Sequence, residues 1–490
     1  MQRLNNQTLA TLADAVSTPK YHRTQAKAGI VHLGIGAFHR AHQAWYTEAL
    51  LNKGATGWQI IGASLRSPTV KNQLAEQDGL YTLVERGPEG ETFQVVGAVK
   101  DVLVGPESPA ALVALMAEPD IKIVSLTVTE KGYCHDPASG NLNLNNADIE
   151  HDLAHPETPK SAIGFIVSAL AARRSAGVAS FTVLSCDNLP DNGKVLEKVV
   201  LQYAAQLDAE LSDWIAANTT FPCTMIDRIV PATTDADRQE LEGKLGLRDE
   251  GMVLAEPFSQ WVIEDKFCSA RPAWEEAGAL LVDDVRVYEI MKLRLLNGSH
   301  SLLAYCGYLA GFDYVSEVMS EPLLAKLCQT FMDREVSQTL TVPAGFDMEH
   351  YKLELRQRFA NPGLKHRTWQ IAMDGSQKIP QRWLQTLQAQ LDADGNISLL
   401  CLALAAWIRY VSGVDEKGQA IDVQDPLAAE LKALCDASKT PAETVRAVLG
   451  VKEVFGTTLA SQPQVVQATT DWLTRINQQG VLAAVKAELG

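Results

Sequence analysis

Five short runs rich in valine and isoleucine constrain this chain more than any other feature. They are Ile30–Gly34, Trp58–Ala63, Phe93–Val96, Ile121–Val128 and Phe181–Cys186, and several are apolar on both faces. A strand of that kind must be covered on both sides, which is the condition of a parallel sheet between helices. Amphipathic stretches such as Ser161–Ala176 alternate with the runs, and the alternation predicts a doubly wound α/β domain. Beyond Val285 the texture changes. Tyr288–Ala310, Leu323–Leu340, Trp383–Leu391, Leu399–Val411 and Val465–Leu489 carry helical apolar spacing and few strand-like runs. The 490 residues exceed what one core usually organises. The expected division is an α/β domain over residues 1–285 and a mainly α-helical domain over 286–490, with the boundary near Val282–Tyr288.

Charge narrows the function. The formal net charge is −16 and no cluster of Lys and Arg appears, so nucleic acid is not an expected partner. An anionic small molecule stays possible, because a few cations in a pocket outweigh the global field. The eight cysteines form no CxxC pair and are widely dispersed, which suits reduced, buried thiols in a cytosolic protein. The first thirty residues hold no apolar core of a signal peptide, and no apolar run is long enough to span a membrane. A cytoplasmic, soluble protein is expected.

Two segments carry chemistry. In IVHLGIGAFHRAH a strand runs into Gly34-Ile35-Gly36, the first half of a dinucleotide fingerprint. His39 stands where the third glycine would fall. The stretch GASLRSPTV, where a ribose-binding acid is usual, offers Ser64, Arg66 and Ser67 instead. An arginine there can meet a 2′-phosphate, so NADP stays open beside NAD. His39 and His42 are three apart but lack a third ligand at a recognisable spacing, and no metal is expected. The second segment is YEIMKLRLLNGSH. On one regular helix with Lys292 as zero, Glu289 lies at about 60°, His300 at about 80° and Asn297 at about 140°, with Arg294 at about 200°. An amine, an acid, an amide and an imidazole set among leucines form either a dry hydrogen-bond network or a reactive cluster. A desolvated lysine can take a proton from an alcohol while amides hold the oxyanion, which suits hydride transfer to nicotinamide. Ser185-Cys186-Asp187-Asn188 closes a strand, where α/β sheets place ligands. Asp227, in TMIDRIVP, is followed by Arg228, and a structural ion pair is the plain alternative.

GIGAFHRAHQ, TVTEKGY, SCDN, TMIDRIVP and KLRLLNGSHS, in that order, resemble the long-chain polyol dehydrogenases, the mannitol dehydrogenase family that includes fructuronate reductase. The resemblance implies a Rossmann-like N-terminal domain, a helical C-terminal domain, catalysis in the cleft between them, NAD and no zinc. It implies Lys292 as general base, Asn188 and Asn297 as the amide pair on the alkoxide-like oxygen, and His300 as the orienting histidine. Glu289 and Asp227 match acids near the proton exit and the site wall. Gly34, Gly36 and Phe38 fit the family's glycine turn. Members are often monomeric.

Residues 361–380, NPGLKHRTWQIAMDGSQKIP, hold Lys365, His366, Arg367 and Lys378, and HRTWQIAMDGSQK resembles the fructuronate reductase branch. A hexuronate needs a cation for its carboxylate, preferably a guanidinium. Arg367 or His366 is therefore expected to read a carboxylate, and Lys378 a hydroxyl or the carboxylate. The stretch GASLRSPTVKNQLAEQDGLYTLVERG resembles mannitol-type members equally well. The expected reaction is NAD-dependent interconversion of D-fructuronate and D-mannonate. Mannitol or arabinitol oxidation is the alternative, and a sugar-acid binding protein without catalysis is a third reading, which the intact set Lys292, Asn188, Asn297 and His300 opposes.

Overall fold

The computed structural model describes residues 2–136, 139–343, 345–459 and 462–489, and the chain divides into two compact units, Met1–Arg286 and Val287–Gly490. In the first, five strands form a parallel sheet: β1 (Ala28–Leu33), β2 (Gln59–Ser64), β3 (Val99–Val104), β4 (Ile123–Leu126) and β5 (Thr182–Ser185). Their order is β3-β2-β1-β4-β5, that of the doubly wound nucleotide-binding folds. From β1 the chain passes through the glycine turn into α1 (Ala37–Ala41) and α2 (Gln43–Leu51). Alternate side chains of each strand enter separate cores. Val31, Leu33, Val124 and Val183 pack with Phe165 and Ile166 of α3 (Ala162–Ala176) and Tyr203 of α4 (Asn192–Leu207). Ile30, Ile60, Ile123 and Leu184 pack with Tyr46 and Leu50 of α2 and with Trp261. Burial on both faces explains the continuous apolar runs.

One expected strand sits elsewhere. Phe93–Val96 belongs to Gly90–Val96, which pairs antiparallel with Tyr81–Gly87 in a separate four-stranded sheet. The fifth parallel strand is β3, sequence VKDVLV, whose Lys100 and Asp101 are exposed. An edge strand can carry such charges, and they mask its apolar pattern. A third sheet joins β6 (Thr224–Asp227), β7 (Gln260–Glu264) and β8 (Leu280–Val282).

The second unit is helical around one core. It comprises α5 (Arg286–Met291), α6 (Gly298–Leu309), α7 (Pro322–Phe331), α8 (Met348–Phe359), α9 (Gly375–Ile379), α10 (Gln385–Asp392), α11 (Ser398–Val411) and α12 (Pro463–Leu489, broken at Gly480), with shorter helices between. The stretches Tyr288–Ala310 and Leu323–Leu340, read as helical from their apolar spacing, contain π turns at Lys292–Asn297 and Met332–Val336, and a third π turn covers Pro380–Leu384. No helix among the described residues is long and apolar enough to cross a membrane.

One π turn solves a burial problem. Helix α11, SLLCLALAAWIRYV, is almost wholly buried, and Ile397 before it offers no side-chain cap. Its first N–H groups have no partner within the helix. Glu335, fully buried on the second π turn, accepts from Leu399 N and Leu400 N at 2.7 Å each. Burial pushes this carboxyl up to about 7 against the pull of those two N–H groups. Glu335→Ala is expected to destabilise the protein by about 2–4 kcal/mol in urea unfolding, the cost of two buried unpaired donors. A folded pKa above the unfolded one means stability is gained at low pH and lost as pH rises from about 4.5 through 7. Glu335→Gln cannot titrate, so its stability curve should be flatter than the wild type's across that window.

Candidate functional site

The glycine turn answers two different demands. Gly34 has φ +90°, its carbonyl accepts from Thr127 Oγ1 at 2.8 Å, and a Cβ there would overlap the Thr127 carbonyl oxygen. Glycine is required for the close passage of chain where β1 and β4 end, the switch point at which doubly wound sheets bind ligands. Gly36 is exposed, at φ −83°, and the nearest atom to a Cβ built on it is the Gly34 carbonyl oxygen at 3.9 Å. Nothing in the surrounding chain requires glycine at 36. A Cβ would instead occupy the open face of the turn, where a dinucleotide's pyrophosphate needs the backbone close. The turn therefore fits such a cofactor. Phe38 is half-buried and stacks on His42 at 5.1 Å, and Arg66 is exposed in the loop after β2.

The histidines beside the turn pack. His32 bonds Ser125 Oγ at 2.8 Å and Thr127 Oγ1 at 2.9 Å, and His39 stacks on it with centroids 3.5 Å apart. Burial, then the neighbouring His32, pushes the His39 pKa far down. His42 meets Tyr46 and Trp261 edge-on. Among the described residues no group of three or more His, Cys, Asp or Glu is placed to hold a metal.

At the end of β5, Asp187 accepts from Val128 N at 3.1 Å, Thr129 N at 2.9 Å and Tyr133 Oη at 3.0 Å. Burial raises its pKa against those bonds. It fixes the loop after β4, where Thr129 stands at φ +63°, a strained conformation for a β-branched residue. Asn188, the next residue, is exposed. Asp227 is buried at the end of β6. Its neighbour Arg228 is directed to Glu85, to the carbonyls of Ala41 and Glu256, and over the Trp45 ring.

In the second unit Lys292 opens the first π turn and Asn297 closes it, both 8% exposed, and His300 follows on α6 at 7%. The π turn corrects the regular-helix geometry. Its i→i+5 bonding sets residues five apart one above the other, so Lys292 and Asn297 lie closer in direction than about 140°. Glu289 is half-buried on α5. Arg294 points away, donating to Thr339 O at 3.1 Å and Thr339 Oγ1 at 3.0 Å. The His300 ring stacks on Phe359 at 5.1 Å and meets His366 edge-on at 4.7 Å. His300 Nε2 and His366 Nδ1 are buried without a hydrogen-bond partner. Burial above all, then the positive neighbours, holds His300 far below its ordinary pKa and pushes His366 down to about 4. Both imidazoles are neutral at neutral pH.

Lys378 donates to Met373 O at 2.5 Å and Ile371 O at 3.3 Å, and burial pushes it down to about 8. Arg367, by contrast, is exposed with its guanidinium 5.3 Å from the Tyr314 ring centroid. Arg382 was not anticipated from sequence. It is half-buried on the third π turn and its Nη1 donates to Asn297 O at 3.3 Å and Ser301 Oγ at 2.7 Å. Trp383 Nε1 donates to Gly298 O at 3.0 Å, so the third π turn is pinned to the first. Arg382 lies four residues after Lys378, a spacing that would have signalled a shared helical face had Pro380 not suggested a break.

Models of the mannitol dehydrogenase Rossmann domain and of the mannitol dehydrogenase C-terminal domain match residues 28–276 and 284–477. The uncharacterized oxidoreductase YeiQ of Escherichia coli is 47% identical over 98% of this chain and 99% of its own length. The D-mannonate oxidoreductase of Escherichia coli is 45% identical over 98% of this chain and 100% of its own length. Pseudomonas fluorescens mannitol 2-dehydrogenase, solved in ternary complex with NAD and D-mannitol, superposes with a TM-score of 0.89 at 41% identity, covering 100% of this chain and 99% of that one. Matched in both units and along almost its whole length, the chain belongs to the mannitol dehydrogenase family of oxidoreductases.

Proposed function

We propose that this oxidoreductase interconverts D-fructuronate and D-mannonate with NAD as cofactor. The observation that carries the reading is the polar group in the second unit: Lys292, Asn297 and His300 buried on or beside one π turn, with half-buried His366 against His300 and half-buried Lys378 nearby, in a protein of net charge −16. The likeness to D-mannonate oxidoreductase supports it. Mannitol oxidation to the ketose is the second reading, favoured by the likeness to a mannitol 2-dehydrogenase whose complex holds D-mannitol.

The Gly34–Gly36 turn would hold the dinucleotide, with Phe38 beside it and Arg66 in the loop after β2, and the bound nicotinamide supplies the hydride acceptor. Lys292 in its uncharged form takes the hydroxyl proton of the carbinol through Nζ. The Asn297 amide donates to the oxygen that becomes alkoxide-like, a charge it stabilises best where water is excluded. Neutral His300 directs Nε2 at a substrate hydroxyl, and Glu289, half-buried three residues before the lysine, passes the proton towards solvent. Asn188 and Asp227 keep the roles their motifs imply, a second amide donor and a wall acid. Lys378 and His366 take a substrate hydroxyl or carboxylate.

Lys292→Ala is expected to cut kcat by about 10²–10⁴ while leaving the NADH dissociation constant, measured by fluorescence titration, nearly unchanged. Survival of turnover would remove the lysine from the base role. Lys378 is charged below about pH 8 and neutral above it, so KM for fructuronate should rise as pH passes 8, and Lys378→Met should abolish that rise. An absorbance screen of NADH and NADPH against fructuronate, tagaturonate, fructose and xylulose should give the highest kcat/KM for fructuronate with NADH. A higher value for fructose would establish the polyol reading instead.

A further inference from the structure

We infer that Arg382 binds the carboxylate of the substrate, and that it makes a sugar acid the favoured ligand class of the second unit's polar group. The inference rests on the reading of that group as the substrate site. A guanidinium cannot discharge by losing a proton at physiological pH, so a half-buried one without an ion pair favours an anion beside it. Among the described residues Arg382 makes no ion pair, and the neighbouring Tyr305 phenol, kept neutral by its own burial, supplies no counter-charge. Both Nη1 hydrogens are committed, to Asn297 O and Ser301 Oγ. Nε and Nη2 have no partner among the described residues, and together they form the side-on fork that fits both oxygens of a carboxylate.

Among the described residues no acid pairs with Arg382. Asp374 and Asp425 act on Lys378, and Asp425 is already held by Ser376 N at 2.7 Å and Ser376 Oγ at 2.6 Å. The position is also telling. Arg382 Nη1 reaches the backbone carbonyl of Asn297, whose side-chain amide is assigned to the reacting oxygen, so the fork and that amide belong to the same polar group of the second unit. Arg367, the cation expected from sequence, is instead exposed on Tyr314.

D-mannonate and D-mannitol differ only in carrying a carboxylate or a hydroxymethyl group at one end, so they separate charge reading from shape. Calorimetric titration of wild type, Arg382→Met and Arg382→Lys with each, NADH present, tests the assignment. Arg382→Met should weaken mannonate at least tenfold more than mannitol, and Arg382→Lys should recover part of that loss, retained mannitol binding showing that the variants are folded. Equal weakening of both ligands would make Arg382 a positioning residue for the π turn and overturn the inference, as would no weakening. The proposed function fails separately: an Arg382-dependent preference for mannonate in a wild type that does not turn it over leaves the inference standing and removes the reaction. Conversely, fructuronate turnover without an Arg382 effect leaves the reaction and removes the inference.

Discussion

The close passage of the Gly34 backbone over the Thr127 carbonyl sets the geometry of the N-terminal unit. Two neighbouring parallel strands leave the sheet in opposite directions here, and the chain closes the gap with a residue that has no Cβ. Thr127 binds Gly34 through its hydroxyl and His32 through the same oxygen, and Asp187 draws in the two residues that follow Thr127. Every one of these contacts lies at the carboxyl ends of β1, β4 and β5. The result is a rim of hydrogen bonds around an open turn, in which Gly34, unlike Gly36, is glycine because the neighbouring backbone leaves no room for a Cβ.

The C-terminal unit solves a different problem, the display of polar groups from inside a packed helical core. A regular helix repeats every 3.6 residues and would spread Lys292 and Asn297 apart. The wider π turn brings them together at the cost of poorer backbone bonding, and the third π turn supplies Arg382 and Trp383 to hold it in place. Glu335 shows the same device used for stability alone, since its π turn aims a carboxylate at the start of a buried helix. Irregular helix is therefore a means of placing polar side chains here, and the three examples differ in what the side chain then meets.

The sequence reveals most of this fold because both-face burial leaves a direct trace: β1, β2, β4 and β5 were legible as apolar runs, and Ser161–Ala176 as a helix whose Ser161 proves to be its cap. β3 was hidden by Lys100 and Asp101, which an edge strand tolerates. The π turns left no trace, because one extra residue in a turn does not disturb the apolar spacing on either side of it. For the candidate site, the motif around Lys292 showed which residues belong together but not their directions. Arg382 was missed for the same kind of reason: its neighbours Pro380 and Gln381 suggest a loop, whereas proline opens the π turn and continues from α9.

Identity of 45% to a D-mannonate oxidoreductase and 41% to a mannitol 2-dehydrogenase cannot separate acid from polyol, because the two ligand classes differ at one terminal carbon. Hundreds of residues set the identity, whereas a handful of charges sets the choice. A neutral pocket excludes a carboxylate by the several kcal/mol needed to strip its water. A pocket built around a dry guanidinium does the reverse, since a hydroxymethyl group leaves that cation unpaired, and each 1.4 kcal/mol of the difference is worth tenfold in preference. Acid and polyol enzymes can then share one fold and one base, and diverge through the number of unpaired cations facing the end of the substrate. Lys378 loses its charge as pH passes about 8, because burial has moved its titration to that point. Arg382, pushed down only to about 10, keeps its charge throughout the range in which the chemistry runs, which makes it the better suited of the two to decide the substrate.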